Sequence, residues 1–401
     1  MRKYFQHNWF RFVFFIVITF FVFWTIQTLF FTNDVAWARK QFYTRLDDEL
    51  QVIFMGNSLS FTSFSPKIVN DILGINSYSL GTSNQVIDQS YYELKQLIQY
   101  QNPDLVILEA NTFISNAKDD PSAKISSSKN ISSWVHAMIK AKLPIIENHS
   151  AWKLPAELFK NLNDLIHYLS VGKSTGEDDL GFHPLPNISA NQTQITEVDK
   201  EILNVDQVSL ASASYLEEFR FLCAEKGIEL LVVKSPDVHI SEYNLLFNDK
   251  NPQPFDYFDF NKISTGMNWL HFQDVGHLST FGSVIASVDA AKLISQILNL
   301  PLNQSAVDYY SSYFFESLKI DKLEDNYTFT LIPSDPEKSS LLRYKWEVIS
   351  NEVRILKTEY GVDNFITFPP GLTGEEYSVH VWINNPAGDY VLEGILSYTF
   401  D

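Results

Sequence analysis

The stretch VIFMGNSLSFTSFSP, which runs from Val52 to Pro66, decides the fold prediction. A short apolar run, typical of a buried strand, ends at Gly56, and Asn57 and Ser58 follow in a hydroxyl-rich segment. Such a turn is either a plain strand-to-helix connection or the seat of a nucleophile. A serine hydroxyl needs a base beside it and a group that orients the base. The rest of the chain must therefore supply a histidine and a carboxylate for Ser58.

The chain beyond this turn alternates between apolar strands and helices. INSYSLG, PDLVILEAN and IELLVVKSP read as further strands, and TFGSVIASVDAAKLISQIL reads as the last helix. This rhythm predicts an α/β domain over residues 51–300 whose parallel sheet is covered on both faces. Ser58, Gly81 and Asn111 each follow a predicted strand, so we expect them at the same sheet edge, where ligands bind.

Two regions depart from the α/β rhythm. At about 113–206 the alternation breaks, which predicts an insertion, and a long insertion is usually functional or loosely ordered. Over 321–401 the segments are short, alternating and rich in aromatic and β-branched residues, which predicts an antiparallel β-sandwich module. Its aromatic residues are either glycan-stacking surfaces or core, and their strand spacing favours core. They are Tyr344, Trp346, Tyr377, Trp382 and Tyr390.

The N-terminus predicts a membrane anchor. Phe12 to Phe31 is apolar except for Thr and Gln, and as a helix it would span about 30 Å, the thickness of the hydrocarbon core. Arg2, Lys3 and Arg11 precede it, so by the positive-inside rule the tail stays in the cytoplasm. We therefore predict a tail and single-pass anchor at 1–33, a juxtamembrane linker at 34–50 and an extracytoplasmic catalytic domain. A cleaved signal peptide is the alternative, although no clean cleavage site follows.

Composition excludes several classes of function. A net charge of −18 argues against a nucleic-acid partner, because phosphate binding relies on Lys and Arg. Cys223 is the single cysteine, so no intrachain disulfide forms, and helical spacing around it predicts a buried thiol. The chain has no glycine-rich nucleotide loop and no cysteine cluster for structural zinc, and the insertion's histidines lack metal-ligand spacing. We expect neither a cofactor nor a metal.

The partners for Ser58 come from the segment QDVGHLSTFG, just before the last helix. A turn from Asp274 to His277 places the carboxylate beside the imidazole and leaves the other ring nitrogen to face Ser58. The structural alternatives are that Gly56 and Gly81 are simple turn residues, and that Asp274 caps the last helix with Ser279. His271 is another possible base, although its WLHF context reads as a packed strand.

These blocks together resemble the SGNH (GDSL-like) hydrolase superfamily. The likeness is greatest to its membrane-anchored cell-surface branch, which includes DltD-like and alginate O-acetylation proteins. The resemblance covers Gln51 to Leu298, matches the insertion poorly and leaves out the C-terminal module. It implies a three-layer, flavodoxin-like parallel sheet.

The resemblance also implies roles for individual residues. Ser58 matches the nucleophile, His277 the general base and acid, and Asp274 its orienting partner. The backbone N–H groups of Ser58 and Gly81 would hold the oxyanion. Asn111, in LEANTF, lies near the strand end of the family's oxyanion asparagine without its Gly-x-Asn-Asp context, and Asn84 is a rival. Asn57 stands where the hydrolase branch has Asp, and fixes the turn.

The implied chemistry is acyl transfer through an acyl-Ser58 intermediate. The anchor and the family branch favour an O-acyltransferase that O-acetylates a cell-surface or envelope polysaccharide. In that branch such proteins often work beside a multispanning membrane acyltransferase. Two alternatives stay open: an esterase that removes acyl groups from a surface glycan, and a catalytically silent protein that binds a glycan or a partner.

Overall fold

The structure is a computed structural model of the 401-residue chain. It describes residues 9, 11, 13–19, 49–81, 85–114, 180–188, 203–204, 210–238, 243–244, 256–323, 326–351, 353–368, 376–386, 388 and 390–399. Outside these residues lie most of the predicted anchor, the predicted linker up to residue 48, most of the predicted insertion and the oxyanion rival Asn84.

A five-stranded parallel sheet carries the candidate site. The strand order is β2-β1-β3-β6-β8. The strands are β1 (Val52–Met55), β2 (Ser77–Ser79), β3 (Leu105–Glu109), β6 (Glu229–Lys234) and β8 (Asp256–Asp259). Each pairs in parallel with its neighbour, so their carboxyl ends share one edge. The predicted mixed α/β architecture with a parallel sheet is therefore confirmed.

Helices cover this sheet on both faces. The α-helices described from β1 onwards are α1 (Ser58–Ser63), α2 (Pro66–Leu73), α3 (Ile87–Leu97), α4 (Asn111–Ile114), α5 (Leu210–Lys226), α6 (Phe260–Ile263), α7 (Thr280–Leu298) and α8 (Gln304–Ser311). Side chains alternate along β1, as they do in any strand. Val52 and Phe54 join the core formed with α2 and α7, whereas Ile53 and Met55 join the core formed with α3 and α5.

Two further sheets lie largely after α8 along the chain, and their strands pair antiparallel except at one edge. One has the order β13-β10-β9 and the other β12-β11-β14-β15-β4. Their strands are β4 (Asn187–Ile188), β9 (Phe315–Leu323), β10 (Asn326–Pro333), β11 (Arg343–Ser350), β12 (Val353–Lys357), β13 (Phe365–Thr367), β14 (Glu376–Asn384) and β15 (Val391–Thr399). A separate parallel pair joins β5 (Leu203–Asn204) to β7 (Tyr243–Asn244). Separate antiparallel sheets are thus present beside the parallel one.

The aromatic side chains of these sheets mostly form core. Tyr344, Trp346 and Tyr377 are buried, and Tyr390 packs against the same core. Trp382 lies on the other face of β14, half-buried, with the Lys345 ammonium 4.3 Å from its ring centroid. The burial of Tyr344, Trp346 and Tyr377 therefore supports the interpretation of these aromatic residues as core rather than as glycan-stacking surfaces.

A short part of the predicted insertion has a defined place beside the site. Residues 180–188, named here the strap, make backbone hydrogen bonds to three different elements. Ser79 N–H donates to Leu180 O, His183 N–H donates to Phe61 O on α1, and Thr280 N–H donates to Leu185 O at the start of α7. The strap ends in β4, which pairs in parallel with β15. It thus joins the parallel sheet to the antiparallel one.

Two apolar helical segments bear on membrane association. Within the described ranges, α7 is the helix long and apolar enough to cross a bilayer, and most of it is buried in the protein core. Residues 13–19, at the start of the predicted anchor, are helical and exposed, with Phe15 66% accessible. The anchor and its orientation remain predictions.

Candidate active site

The turn that carries Ser58 is tightly packed. Gly56 has a φ of +153°, and a Cβ added to it would lie 2.5 Å from Glu109 Cβ. Both constraints require glycine there. Asn57 then caps α1, its Oδ1 accepting the Leu59 N–H at 3.0 Å. Ser58 is the first residue of the helix, at the carboxyl edge of the sheet.

The second segment of the site is a hydrogen-bonded turn before α7. Asp274 Oδ1 accepts the backbone N–H groups of Gly276 and His277, both at 2.9 Å. The same oxygen lies 2.9 Å from His277 Nδ1, and Oδ2 lies 3.0 Å from it. Partial burial acts to raise the pKa of Asp274, but the hydrogen bonds from His277 and Gly276 outweigh it and hold that pKa below its usual value.

The two segments meet at the sheet edge. His277 Nε2 lies 2.8 Å from Ser58 Oγ, across a separation of 219 residues in sequence. Hydroxyl, imidazole and carboxylate therefore form one continuous hydrogen-bonded relay, the arrangement that activates a serine. The His277 side chain is 30% exposed, so the relay is open to solvent from one side.

The predicted oxyanion residues lie near Ser58. Gly81 is buried against the turn, and a Cβ there would lie 3.1 Å from Phe61 and 3.2 Å from the carbonyl oxygen of Gly56. Asn111 begins α4, and its Oδ1 accepts a hydrogen bond from Asn57 Nδ2 at 3.0 Å. The structure thus places both at the strand ends around the turn, while Asn84 is outside the described residues.

His271 is not placed to act as the base. It lies in a short 3₁₀ helix, Trp269–His271, rather than in the predicted strand. Its Nδ1 accepts the Asn268 N–H at 2.9 Å, and its Nε2 lies 2.9 Å from the Phe315 carbonyl oxygen. Burial lowers its pKa to about 4, so the ring stays neutral and structural.

Two buried polar residues beside the site were missed by the sequence analysis. Glu109 ends β3 and Ser235 follows β6, so both lie at the same edge as Ser58. The desolvation of Glu109 raises its pKa to about 7, although hydrogen bonds from Ser235 act in the opposite direction. A polar residue directly after an apolar strand is the signal that singled out Ser58, and LVILE and LLVVKS carry that signal too.

The described residues contain no group of three or more His, Cys, Asp or Glu side chains placed to hold a metal ion. Cys223 is buried, and burial raises its pKa to about 12, so it stays a thiol. The relay from Ser58 through His277 to Asp274 supports nucleophilic and acid–base chemistry.

Comparison with known proteins does not show the family. No family model and no curated protein matches the chain. The extracellular domains d3–d4 of rat CD45 match 21% of this chain at 17% identity, with a TM-score of 0.18, and the chain spans about half, 47%, of that structure. A double mutant of the Cellulomonas fimi endo-β-1,4-mannanase matches at 11% identity with a TM-score of 0.17, and the match covers 92% of this chain and 98% of the mannanase chain. Likenesses this weak carry no argument.

Proposed function

We propose that this protein is a serine O-acyltransferase of the SGNH type. The observation that carries the proposal is the relay from Ser58 through His277 to Asp274, with contacts of 2.8 and 2.9 Å. The parallel sheet with helices on both faces is compatible with the three-layer, flavodoxin-like architecture of that superfamily. We assign the antiparallel sheets as the predicted C-terminal β-sandwich module of this protein, which the resemblance does not cover.

The first half-reaction forms an acyl-enzyme. As Ser58 Oγ attacks the acyl carbonyl carbon, His277 Nε2 takes the hydroxyl proton, and Asp274 stabilises the resulting imidazolium. The Ser58 and Gly81 N–H groups and the Asn111 side chain donate to the oxyanion. The tetrahedral intermediate then collapses, the donor's C–O bond breaks, and His277 returns its proton to the leaving oxygen.

The second half-reaction decides the class of enzyme. His277 removes the proton from an acceptor hydroxyl, whose oxygen attacks the acyl-Ser58 carbonyl carbon; the bond from that carbon to Ser58 Oγ then breaks, and His277 returns the proton to Oγ. A sugar hydroxyl as acceptor makes the protein a transferase, and water makes it an esterase. The relay serves both reactions. The exposed side of His277 is where the acceptor approaches.

The location and substrate rest on the N-terminus and on the family resemblance. The apolar helical residues 13–19 are exposed, as expected of a segment that enters a bilayer. We therefore place the catalytic domain outside the cytoplasm, held by a single-pass anchor. A surface polysaccharide is then the acceptor within reach, and a multispanning membrane acyltransferase is the proposed acyl donor partner.

The test is to treat the detergent-solubilised full chain with a serine-reactive fluorophosphonate. We expect one label, on Ser58, that is lost in Ser58→Ala and kept in Ser60→Ala, which removes a buried hydroxyl from the same helix. A small acetyl ester then reports turnover, and the mass of an added oligosaccharide reports acyl transfer. Turnover without transfer to the oligosaccharide would make the protein an esterase. The absence of both labelling and turnover would leave a silent binding protein.

A further inference from the structure

The segment after β6 contacts both of the chain segments that carry the relay residues. Ser235 Oγ lies 3.1 Å from the carbonyl oxygen of Leu59, the residue after Ser58. Three residues later, Val238 N–H donates to the carbonyl oxygen of Val275 at 3.1 Å, within the turn that joins Asp274 to His277. This short segment therefore contacts both the turn that carries Ser58 and the turn that carries His277, which are far apart in sequence.

Ser235 is in turn held by Glu109. Glu109 is fully buried, and its Oε2 accepts the Ser235 N–H at 3.0 Å and lies 2.5 Å from Ser235 Oγ. Its Oε1 accepts the Asn111 N–H at 3.4 Å. One carboxyl group thus contacts the residue that holds the nucleophile turn and the residue proposed to hold the oxyanion.

The number of protons in this cluster indicates the state of Glu109. The Ser235 hydroxyl has one proton but lies within hydrogen-bond distance of two acceptors, Leu59 O and Glu109 Oε2. If Glu109 is ionised, one of these contacts is left without a proton. If Glu109 is protonated, its O–H donates to Ser235 Oγ and the Ser235 O–H donates to Leu59 O, so that both contacts are hydrogen bonds.

We propose that Glu109 and Ser235 are positioning residues for Ser58, and that Glu109 performs this role in its protonated form. The inference rests on the proposed function for its catalytic consequence. Deprotonation turns the Ser235 hydroxyl towards Glu109 and releases the Leu59 carbonyl, which loosens the turn that aims Ser58 at His277.

The surroundings of Glu109 favour the neutral form. The neighbours of Glu109 just after β1 and at the start of α4, Gly56 and Asn111, are uncharged. The Lys234 ammonium on β6 acts in the opposite direction and lowers the Glu109 pKa, but it is paired with Asp237 Oδ2 at 3.0 Å. Desolvation raises the Glu109 pKa to about 7, so the proton is lost near neutral pH.

The first measurement is amide hydrogen exchange of the α1 peptide in the full-length chain, corrected for the intrinsic pH dependence of exchange. In the wild type we expect protection of this peptide to fall about tenfold as the pH rises through about 7. Glu109→Gln should remove that pH dependence because it cannot ionise, and Ser235→Ala should lower protection at every pH. Ser90→Ala is the control, since it removes a buried hydroxyl on α3 that accepts a hydrogen bond from Gln85.

The second measurement is the rate of fluorophosphonate labelling of Ser58 against pH. We expect the labelling rate of the wild type to fall about tenfold above pH 7. Glu109→Gln should abolish this fall in rate at alkaline pH, whereas Ser90→Ala should keep the pH profile of the wild type. If amide exchange of α1 responds to pH and to the variants as described, but Ser58 is never labelled, the acyl-transfer proposal is overturned and the positioning role is kept. Labelling with no response of either readout to Glu109→Gln or Ser235→Ala would overturn the positioning role alone.

Discussion

At the scale of single residues, the carboxyl edge of the parallel sheet is crowded where catalysis is proposed. Gly56 lies against Glu109, Gly81 lies against the Gly56 carbonyl, and Asn57 joins Leu59 to Asn111 through the two ends of its amide. Each contact fixes the backbone on one side of Ser58. The position of the nucleophile is therefore set by its neighbours before any substrate arrives.

The first prediction concerns the space at Gly56. Gly56→Ala forces a Cβ to within 2.5 Å of Glu109 Cβ at a φ of +153°, and we expect it to lower the free energy of unfolding by about 3 kcal/mol. Gly74→Ala is the matched control, because Gly74 also has a positive φ, +66°, but has no atom within 4 Å of the added methyl. It should cost about 1 kcal/mol. Equal losses in urea titrations of the two variants would contradict the predicted clash.

The second prediction concerns Asp274. Asp274→Asn keeps the shape of the turn but removes the charge that stabilises the protonated His277, so we expect ester turnover to fall about 10³- to 10⁴-fold. Asp289→Asn, which removes a carboxylate paired with Lys292 on α7, is the control and should keep wild-type turnover. An unchanged rate in Asp274→Asn would show that His277 acts without its carboxylate.

The relay residues were accessible from sequence, whereas their supports were not singled out. Ser58 stands in a Gly-Asn-Ser turn, Asp274 and His277 stand in an Asp-x-x-His motif, and the two motifs taken together predicted that these residues meet. Glu109 and Ser235 contact each other across 126 residues of sequence, and nothing in either local sequence shows that pairing. A buried carboxyl that holds a backbone turn becomes visible only when the strand order is known.

At the scale of elements, continuous apolar runs predicted β1, β3 and β6, because strands buried on both faces carry such runs. The edge strand β8, with the sequence DYFD, carries no such run and was not predicted. The same logic failed for WLHF, which forms a 3₁₀ turn. Asn268 caps that turn through a side-chain bond to Leu270 N–H, and the His271 ring returns a bond to the Asn268 N–H. Apolar runs of four residues do not distinguish a strand from a buried turn.

The strap, residues 180–188, shows a second limit at this scale. Its links to Ser79, Phe61 and Thr280 are backbone hydrogen bonds, which leave no periodic pattern of side chains in the sequence. The region was therefore predicted only as an insertion. Its place beside α1 and the start of α7 is set by these backbone contacts.

The third prediction tests that place. Gly181 has a φ of +85°, and a Cβ there would lie 2.0 Å from the Ser79 carbonyl oxygen, a backbone atom that cannot move aside alone. We expect Gly181→Ala to separate the strap from β2 and to raise amide exchange about tenfold in peptides covering Ser79 and α1. Gly227→Ala, also at positive φ but with open space, should leave those peptides unchanged. Unchanged exchange in Gly181→Ala would show that the strap does not brace α1.

At the scale of the whole molecule, the antiparallel sheets are not packed as a separate body. One core cluster runs from α2 and α7 through Phe315 to Trp346 and Leu392 in the antiparallel strands. Phe281, on the first turn of α7 and four residues after His277, packs edge-to-face on Phe315 at 5.6 Å. The helix that follows the catalytic turn is thus part of the junction between the two kinds of sheet.

The last prediction concerns this junction. A Cβ on Gly394 of β15 would lie 2.5 Å from the Phe281 ring, so Gly394→Ala should displace the ring at a cost of about 2 kcal/mol. Gly361→Ala is the control, since the nearest atom to its added methyl is 4.0 Å away. Because the core is continuous, we expect a single calorimetric transition in the detergent-solubilised full chain. Gly394→Ala should lower the Tm of this transition by several degrees. The same variant should also slow the fluorophosphonate labelling of Ser58. Two transitions, of which Gly394→Ala shifts only one, would show instead that the antiparallel sheets fold independently of the catalytic sheet.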